Sequence, residues 1–210
     1  MFHLRNAVFA TVLLFTLSNC KKETLELSPK NESVKHELVD CTPPNFIDDD
    51  TDISVYSAVL KSFYPNAKNL TVLQKTFITN SLENWKIGDG INIDTSYFEA
   101  IKEANGSSKS FSEKLKNVHP TVSIVSKYEY NQIFDNDNSI DFKWFVFYQK
   151  YRNSIGILSF SNIAYNATKT QATLEMTHGC GSLCGEGRVI VLQKVNNEWT
   201  VITSKTTWMS

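Results

Sequence analysis

Gln171-Ala172-Thr173-Leu174-Glu175-Met176-Thr177-His178 alternates with a period of two. In an extended chain Ala172, Leu174, Met176 and His178 share one face, and Gln171, Thr173, Glu175 and Thr177 share the other. Three neighbouring runs are equally rich in β-branched and apolar residues: Ile157–Tyr165 (ILSFSNIAY), Val189–Val195 (VIVLQKV) and Trp199–Ser204 (WTVITS). The links Asn166-Ala167-Thr168-Lys169 and Asn196-Asn197-Glu198 are short, and connections of that length join antiparallel neighbours. Alternation with one apolar face suits a sheet that is solvated on one side and covered on the other. The C-terminal third therefore reads as an antiparallel meander.

The cover comes from upstream. Ile53–Phe63 (ISVYSAVLKSF) sets Ile53, Tyr56, Val59, Leu60 and Phe63 at helical spacing, and Pro65 ends it. The acidic run Asp48-Asp49-Asp50-Thr51-Asp52 before it lacks the Gly at the sixth position and the Glu at the twelfth that an EF-hand needs. It reads as a cap and a complement to the dipole of that helix. Leu70–Ile78 and Thr121–Val125 read as strands, Asp94–Ala104 as a helix opened by an Asp cap, and Phe111–Asn117 as a second short helix. Phe142–Tyr151 (FKWFVFYQKY) reads as a helix, with a strand open for Phe145–Tyr148. The expectation is one α+β domain over residues 51–210, with N-terminal helices packed on one face of a C-terminal antiparallel β-meander.

Composition bounds the partners. The 210 residues are 41% hydrophobic, and Lys+Arg 21 against Asp+Glu 22 leaves a net charge of −1. A nucleic-acid binder normally carries a basic excess, so no nucleic-acid partner is expected. No apolar run reaches the ~18 residues of a membrane span.

Residues 1–19 read as a lipoprotein signal peptide. Arg5 supplies a positive start, Ala7–Leu17 (AVFATVLLFTL) is an apolar run of signal-core length, and Leu17-Ser18-Asn19-Cys20 follows. That tetrad resembles the lipobox of bacterial lipoproteins, although Asn19 stands where Gly or Ala is usual. The resemblance implies a diacylglycerol thioether on Cys20, cleavage before it and acylation of the new N-terminus. Lys21 after the modified Cys implies, by the same resemblance, release from the inner membrane. The expected address is the bacterial cell envelope, lipid-anchored at the outer membrane on its periplasmic or surface face. Residues 20–50, broken by Pro29, Pro43 and Pro44 and poor in apolar residues, read as the lipidated N-terminus and a tether.

The segment from Trp144 to Ser210 resembles an uncharacterised family of bacterial envelope lipoproteins. Its marks here are Phe147-Tyr148-Gln149-Lys150-Tyr151, Ser154-Ile155-Gly156-Ile157 and Thr170-Gln171-Ala172. The Gly/Cys segment Gly179–Gly187 is the most specific mark, followed by Leu192-Gln193-Lys194, Trp199 and Trp208-Met209-Ser210. The resemblance implies an envelope location and a sheet-rich C-terminus, and no activity.

Gly179, Gly181, Gly185 and Gly187 are four of the eight glycines, and with Cys180 and Cys184 among them the stretch reads as a loop between two strands. Three readings of that segment stand side by side. Cys180 and Cys184 could form a local disulfide, which needs a chain folded back to a Cα separation of ~4.4–6.8 Å. With His178 they could ligate zinc, although only three ligands are local. They could be a redox or nucleophilic pair, although such pairs usually show Cys-x-x-Cys at a helix N-terminus. Unlinked thiols, or Cys41 bonded to one of the two, stay open; with Cys20 lipidated, at least one of the remaining three Cys is unpaired within the monomer, and Cys41 is the choice. His178 and Glu186 are the ligand-binding candidates beside this segment. No phosphate-binding, zinc-protease or nucleophile-elbow motif occurs, so no catalytic residue, metal or cofactor is expected. The function expected is a membrane-anchored binding or interaction domain. The alternative is an envelope enzyme or metal-dependent protein using the Gly179–Gly187 Cys/His loop.

Overall fold

The computed structural model describes residues 45–79, 97–118 and 122–210. The first long element is α1, Asp50–Phe63. Asp49 caps it, its carboxylate accepting from the Thr51 N–H at 2.6 Å, and Asp50 and Asp52 in the first turn face the positive end of the helix dipole. Tyr64 closes it, donating its N–H to the Leu60 carbonyl, and Pro65 forbids another turn. The acidic run thus serves as the cap that its position suggested.

The strands are β1 (Phe46–Ile47), β2 (Asn69–Leu73), β3 (Ser110–Phe111), β4 (Val122–Val125), β5 (Ser154–Phe160), β6 (Ala164–Tyr165), β7 (Gln171–Gly181), β8 (Cys184–Val195) and β9 (Glu198–Met209). Seven of them make one sheet in the order β4-β2-β5-β7-β8-β9, with β6 beside β7, and β1 pairs with β3 separately. β5, β7, β8 and β9 form the expected antiparallel meander, although the run expected over Ile157–Tyr165 stops at Phe160 and resumes as the short β6. The β8–β9 turn is Asn196-Asn197, both at positive φ, the conformation that two-residue hairpins demand. β2 is parallel to both β4 and β5. Parallel neighbours need a crossover, and the chain supplies it as α3 (Lys127–Phe134) and α4 (Ile140–Lys150) between β4 and β5.

The protein is α+β, with helices on both faces of the sheet. On one face α1 buries Tyr56, Val59 and Leu60 against Leu70, Val72, Leu158, Phe160, Leu174, Met176 and Ile190. Adjacent strand residues point oppositely. Leu73 and Ile157 thus meet Ile133, Trp144 and Phe147 of α3 and α4 on the second face, where Val189 meets Ile101 of α2, Tyr97–Ala104. The second face is therefore not wholly solvated. Thr173 and Glu175, expected toward water, are 2% and 3% exposed. Glu175 is satisfied there: its carboxylate accepts from the Thr79 hydroxyl, and its N–H donates to Ser161 Oγ at 2.8 Å.

Other expectations shift by a few residues. Phe46–Ile47, placed with the tether, is a strand, and Ile47 is buried. The strand expected over Leu70–Ile78 stops at Leu73, with single bridges at Lys75 and Phe77. The helix expected over Phe111–Asn117 is the end of β3 followed by a 3-10 turn, Glu113–Asn117. The starts expected at Asp94 and Thr121 lie outside the described residues. Phe142–Tyr151 is helical, as α4. Among the described residues no helix is long and apolar enough to cross a membrane.

Candidate functional site

The Gly/Cys segment, expected as a loop between strands, is instead the paired tip of a hairpin, with Gly179–Gly181 ending β7 and Cys184–Gly187 opening β8. β7 runs to Gly181 and β8 starts at Cys184, so only Ser182 and Leu183 turn the chain. Gly179 pairs with Gly185 and Gly181 with Cys184, and the register shift between Gly179 and Gly181 bulges Cys180 outward. That bulge brings Cys180 and Cys184 together as a disulfide with a Cα separation of 5.0 Å. Of the three readings the disulfide is the one formed; sulfurs bonded to each other are not available as thiolate ligands. Among the described residues no group of three or more His, Cys, Asp and Glu could hold a metal ion. Cys20 and Cys41 lie outside the described residues.

His178 and Glu186 stand directly opposite each other across β7 and β8, on the α1 face. The His178 Nε2 lies 2.9 Å from the Ile155 carbonyl oxygen. Gly156 makes that approach possible: its φ is +129°, and a Cβ there would overlap the Gly179 carbonyl and come within 2.9 Å of His178 Nε2. Tyr64 meets the imidazole edge-on, ring centroids 5.6 Å apart. Glu186 accepts from Arg188 Nη2 at 2.7 Å, and the Arg188 guanidinium lies over the Phe63 ring. The Arg188 hydrogen bond holds the Glu186 carboxyl below its ordinary value against the opposing effect of burial, and the charges of Arg188 and His178 add to it. Burial pushes the Tyr64 phenol up, and the Glu186 charge pushes it further. The sequence candidates are thus brought together, in a self-neutralised cluster that fastens the C-terminal end of α1 to the hairpin. It can position; its carboxylate is already engaged.

The opposite face of the same hairpin carries what the sequence did not assign. The Trp208 indole covers Gly185 and Gly187, and the rim of the Trp144 six-membered ring sits over Gly179, 3.5 Å from where a Cβ would be. Gly185 and Ser210 exchange both backbone hydrogen bonds, at 2.9 and 3.3 Å, which seats the chain end against the hairpin. Tyr148 donates its hydroxyl to the Cys180 carbonyl at 2.9 Å, tying α4 to the disulfide. Leu183, Met209 and Trp208 remain 87%, 75% and 44% exposed at this end.

A concavity of about 830 Å³ opens at the other end of α1, among Ile47, Asp49, Asp52, Glu103, Tyr165 and Lys169. Tyr165 donates its hydroxyl to Asp52 at 2.7 Å. Burial first, and then the Asp52 charge, raise that phenol far above its ordinary range. Nothing in the local sequence pattern brings these residues together, since Asp52 and Tyr165 are 113 positions apart. Comparison with protein families, with curated proteins and with solved structures gave no match to this chain.

Proposed function

We infer that this is a lipid-anchored protein of the bacterial cell envelope, held at the outer membrane through Cys20. Its α+β domain works as a non-catalytic binding module that presents the disulfide-clasped end of its sheet. The address is supported by the ordered succession of Arg5, the apolar run Ala7–Leu17 and Leu17-Ser18-Asn19-Cys20. The Cys180–Cys184 disulfide agrees with it, because such bonds persist in oxidising compartments outside the cytoplasm. Each acyl CH₂ buried in the bilayer contributes about 0.8 kcal/mol, so the two or three chains of a lipoprotein anchor stably where one would not.

The binding role is carried by one observation. Three large apolar side chains, Leu183, Trp208 and Met209, stay exposed on an end of the sheet that a disulfide, two backbone bonds to Ser210 and the Tyr148 hydroxyl all brace. Braced, exposed apolar surface is what an interface retains and a solvated loop does not. Replacing Cys20 with Ser tests the anchor: the protein should move from the membrane fraction to the soluble one, and unchanged partitioning would refute it. Zinc bound to the purified protein, or two reactive thiols without reductant, would instead favour a metal or thiol chemistry at Gly179–Gly187.

A further inference from the structure

Gly185 and Gly187 occupy the same face of β8, and the Trp208 indole spans both. A Cβ on Gly187 would overlap the indole nitrogen, and a Cβ on Gly185 would lie 3.1 Å from Cζ3 at the other end of the ring system. Same-face residues of a strand are about 7 Å apart, which is the length of an indole. The ring therefore lies along β8 with one face on bare backbone and the other toward solvent, and the residue is 44% exposed. Gly179, the partner of Gly185, receives the six-membered ring of Trp144, so two indoles converge on one glycine pair.

Hydroxyls flank the indole. Thr207 Oγ1 is 2.8 Å from the Gly187 Cβ position, and Ser210 Oγ is 3.0 Å from that of Gly185. Both residues are exposed. The charged residues of this stretch of β8 point the other way: Glu186 and Arg188 project onto the α1 face and pair with each other. The platform thus offers an aromatic plane, two hydroxyls and no carboxylate from β8.

We propose that Trp208, with Thr207 and Ser210, forms a carbohydrate-binding platform on which a pyranose ring stacks. A pyranose has an apolar C–H face and a rim of hydroxyls. The electron-rich face of an indole attracts the polarised C–H groups, and the flanking hydroxyls both donate to and accept from the sugar rim. An uncharged glycan needs no counter-charge, and β8 supplies none here. This proposal rests on the reading of the disulfide-clasped end as a binding surface. Cell-wall glycan and an external neutral polysaccharide share the chemistry.

The test uses the mature lipidated protein in detergent micelles. It is sedimented with insoluble peptidoglycan and, separately, with an insoluble neutral β-glucan, and the bound fraction is measured. Retention on either is expected, and the arm that retains it identifies the source. Trp208→Ala should weaken retention about tenfold or more, the range of one lost aromatic contact. Trp208→Phe should keep most of it and Thr207→Ala should lie between, with near-ultraviolet circular dichroism and thiol counts reporting the fold. Should Trp208→Ala fail to fold, the tryptophan emission of the wild type is read with soluble N-acetylglucosamine and glucose oligomers. A saturable shift supports the platform, and no shift with either overturns it. Equal retention of wild type and a folded Trp208→Ala overturns it while leaving a glycan-binding domain standing. No retention on either glycan, with binding of the Cys20→Ser protein to phosphatidylglycerol vesicles, overturns it in favour of a membrane-docking surface. The anchor itself fails or stands on the Cys20→Ser fractionation alone.

Discussion

Replacing both Cys180 and Cys184 with Ser opens a ring of five residues, since the two half-cystines are four positions apart. In the chain-entropy treatment, a closed loop of that size removes about 7 cal/mol/K from the unfolded chain, or about 2 kcal/mol at 25 °C. The rest of the brace survives the change: the Gly179–Gly185 pairing, the bonds between Gly185 and Ser210, and the Tyr148 hydroxyl on the Cys180 carbonyl. The double variant should therefore still fold. Its urea midpoint should fall by the equivalent of about 2 kcal/mol at an unchanged slope, because the surface exposed on unfolding hardly changes. In a thermal melt that is a drop of about 4–8 °C for a domain of this size. Wild type under reductant should melt with the variant. An unchanged midpoint would mean that the disulfide does not constrain the hairpin. Loss of folding would mean that the hairpin depends on its clasp, contrary to the bonds described above.

Gly156→Ala should destabilise by about 2 kcal/mol or more, because its φ of +129° suits Gly and the added Cβ runs into the Gly179 carbonyl and the His178 ring; urea denaturation reads it. Ser126→Ala should cost about 1 kcal/mol in the same assay, since it breaks the reciprocal cap in which Ser126 Oγ accepts from the Glu129 N–H and Glu129 accepts from the Ser126 N–H. Glu186 has a folded-state pKa below its ordinary 4.5, owing first to Arg188. Its stabilising share is thus complete above that value and is lost as pH falls through the lowered one. Glu186→Gln should flatten the fall in melting temperature below about pH 4.5, and an unaltered acid limb would refute the pairing with Arg188. Glu129, lowered by Lys150, contributes in the same sense and keeps part of the slope in that variant.

The meander and α1 were legible because each carries its period in consecutive residues. Leu174 and Met176 fall on one face of a strand, and Ile53, Tyr56, Val59 and Leu60 on one face of a helix. α3 was not legible: Lys127–Phe134 has only Ile133 buried, and its start is marked by the Ser126–Glu129 cap rather than by an apolar stripe. The burial of Thr173 and Glu175 escaped for a related reason. Alternation separates the two faces of a strand, but it does not say whether a second layer covers the polar one. His178 and Glu186 were singled out for their chemistry and do meet. Their face, toward α1, follows from a cross-strand register that no short window contains. The Trp208 platform was further out of reach. The terminal Trp-Met-Ser and the glycines were each conspicuous, but β9 joins them only after two register shifts, between Gly187 and Arg188 and between Val191 and Leu192.

The address of the protein rests on chemistry at Cys20, and mass spectrometry of the N-terminal peptide from the membrane-derived protein tests it without intermediaries. The expected mass is that of a chain beginning at Cys20 with a diacylglyceryl thioether and an acylated amine. An unmodified Cys20, or a peptide that still contains residues 1–19, would contradict it.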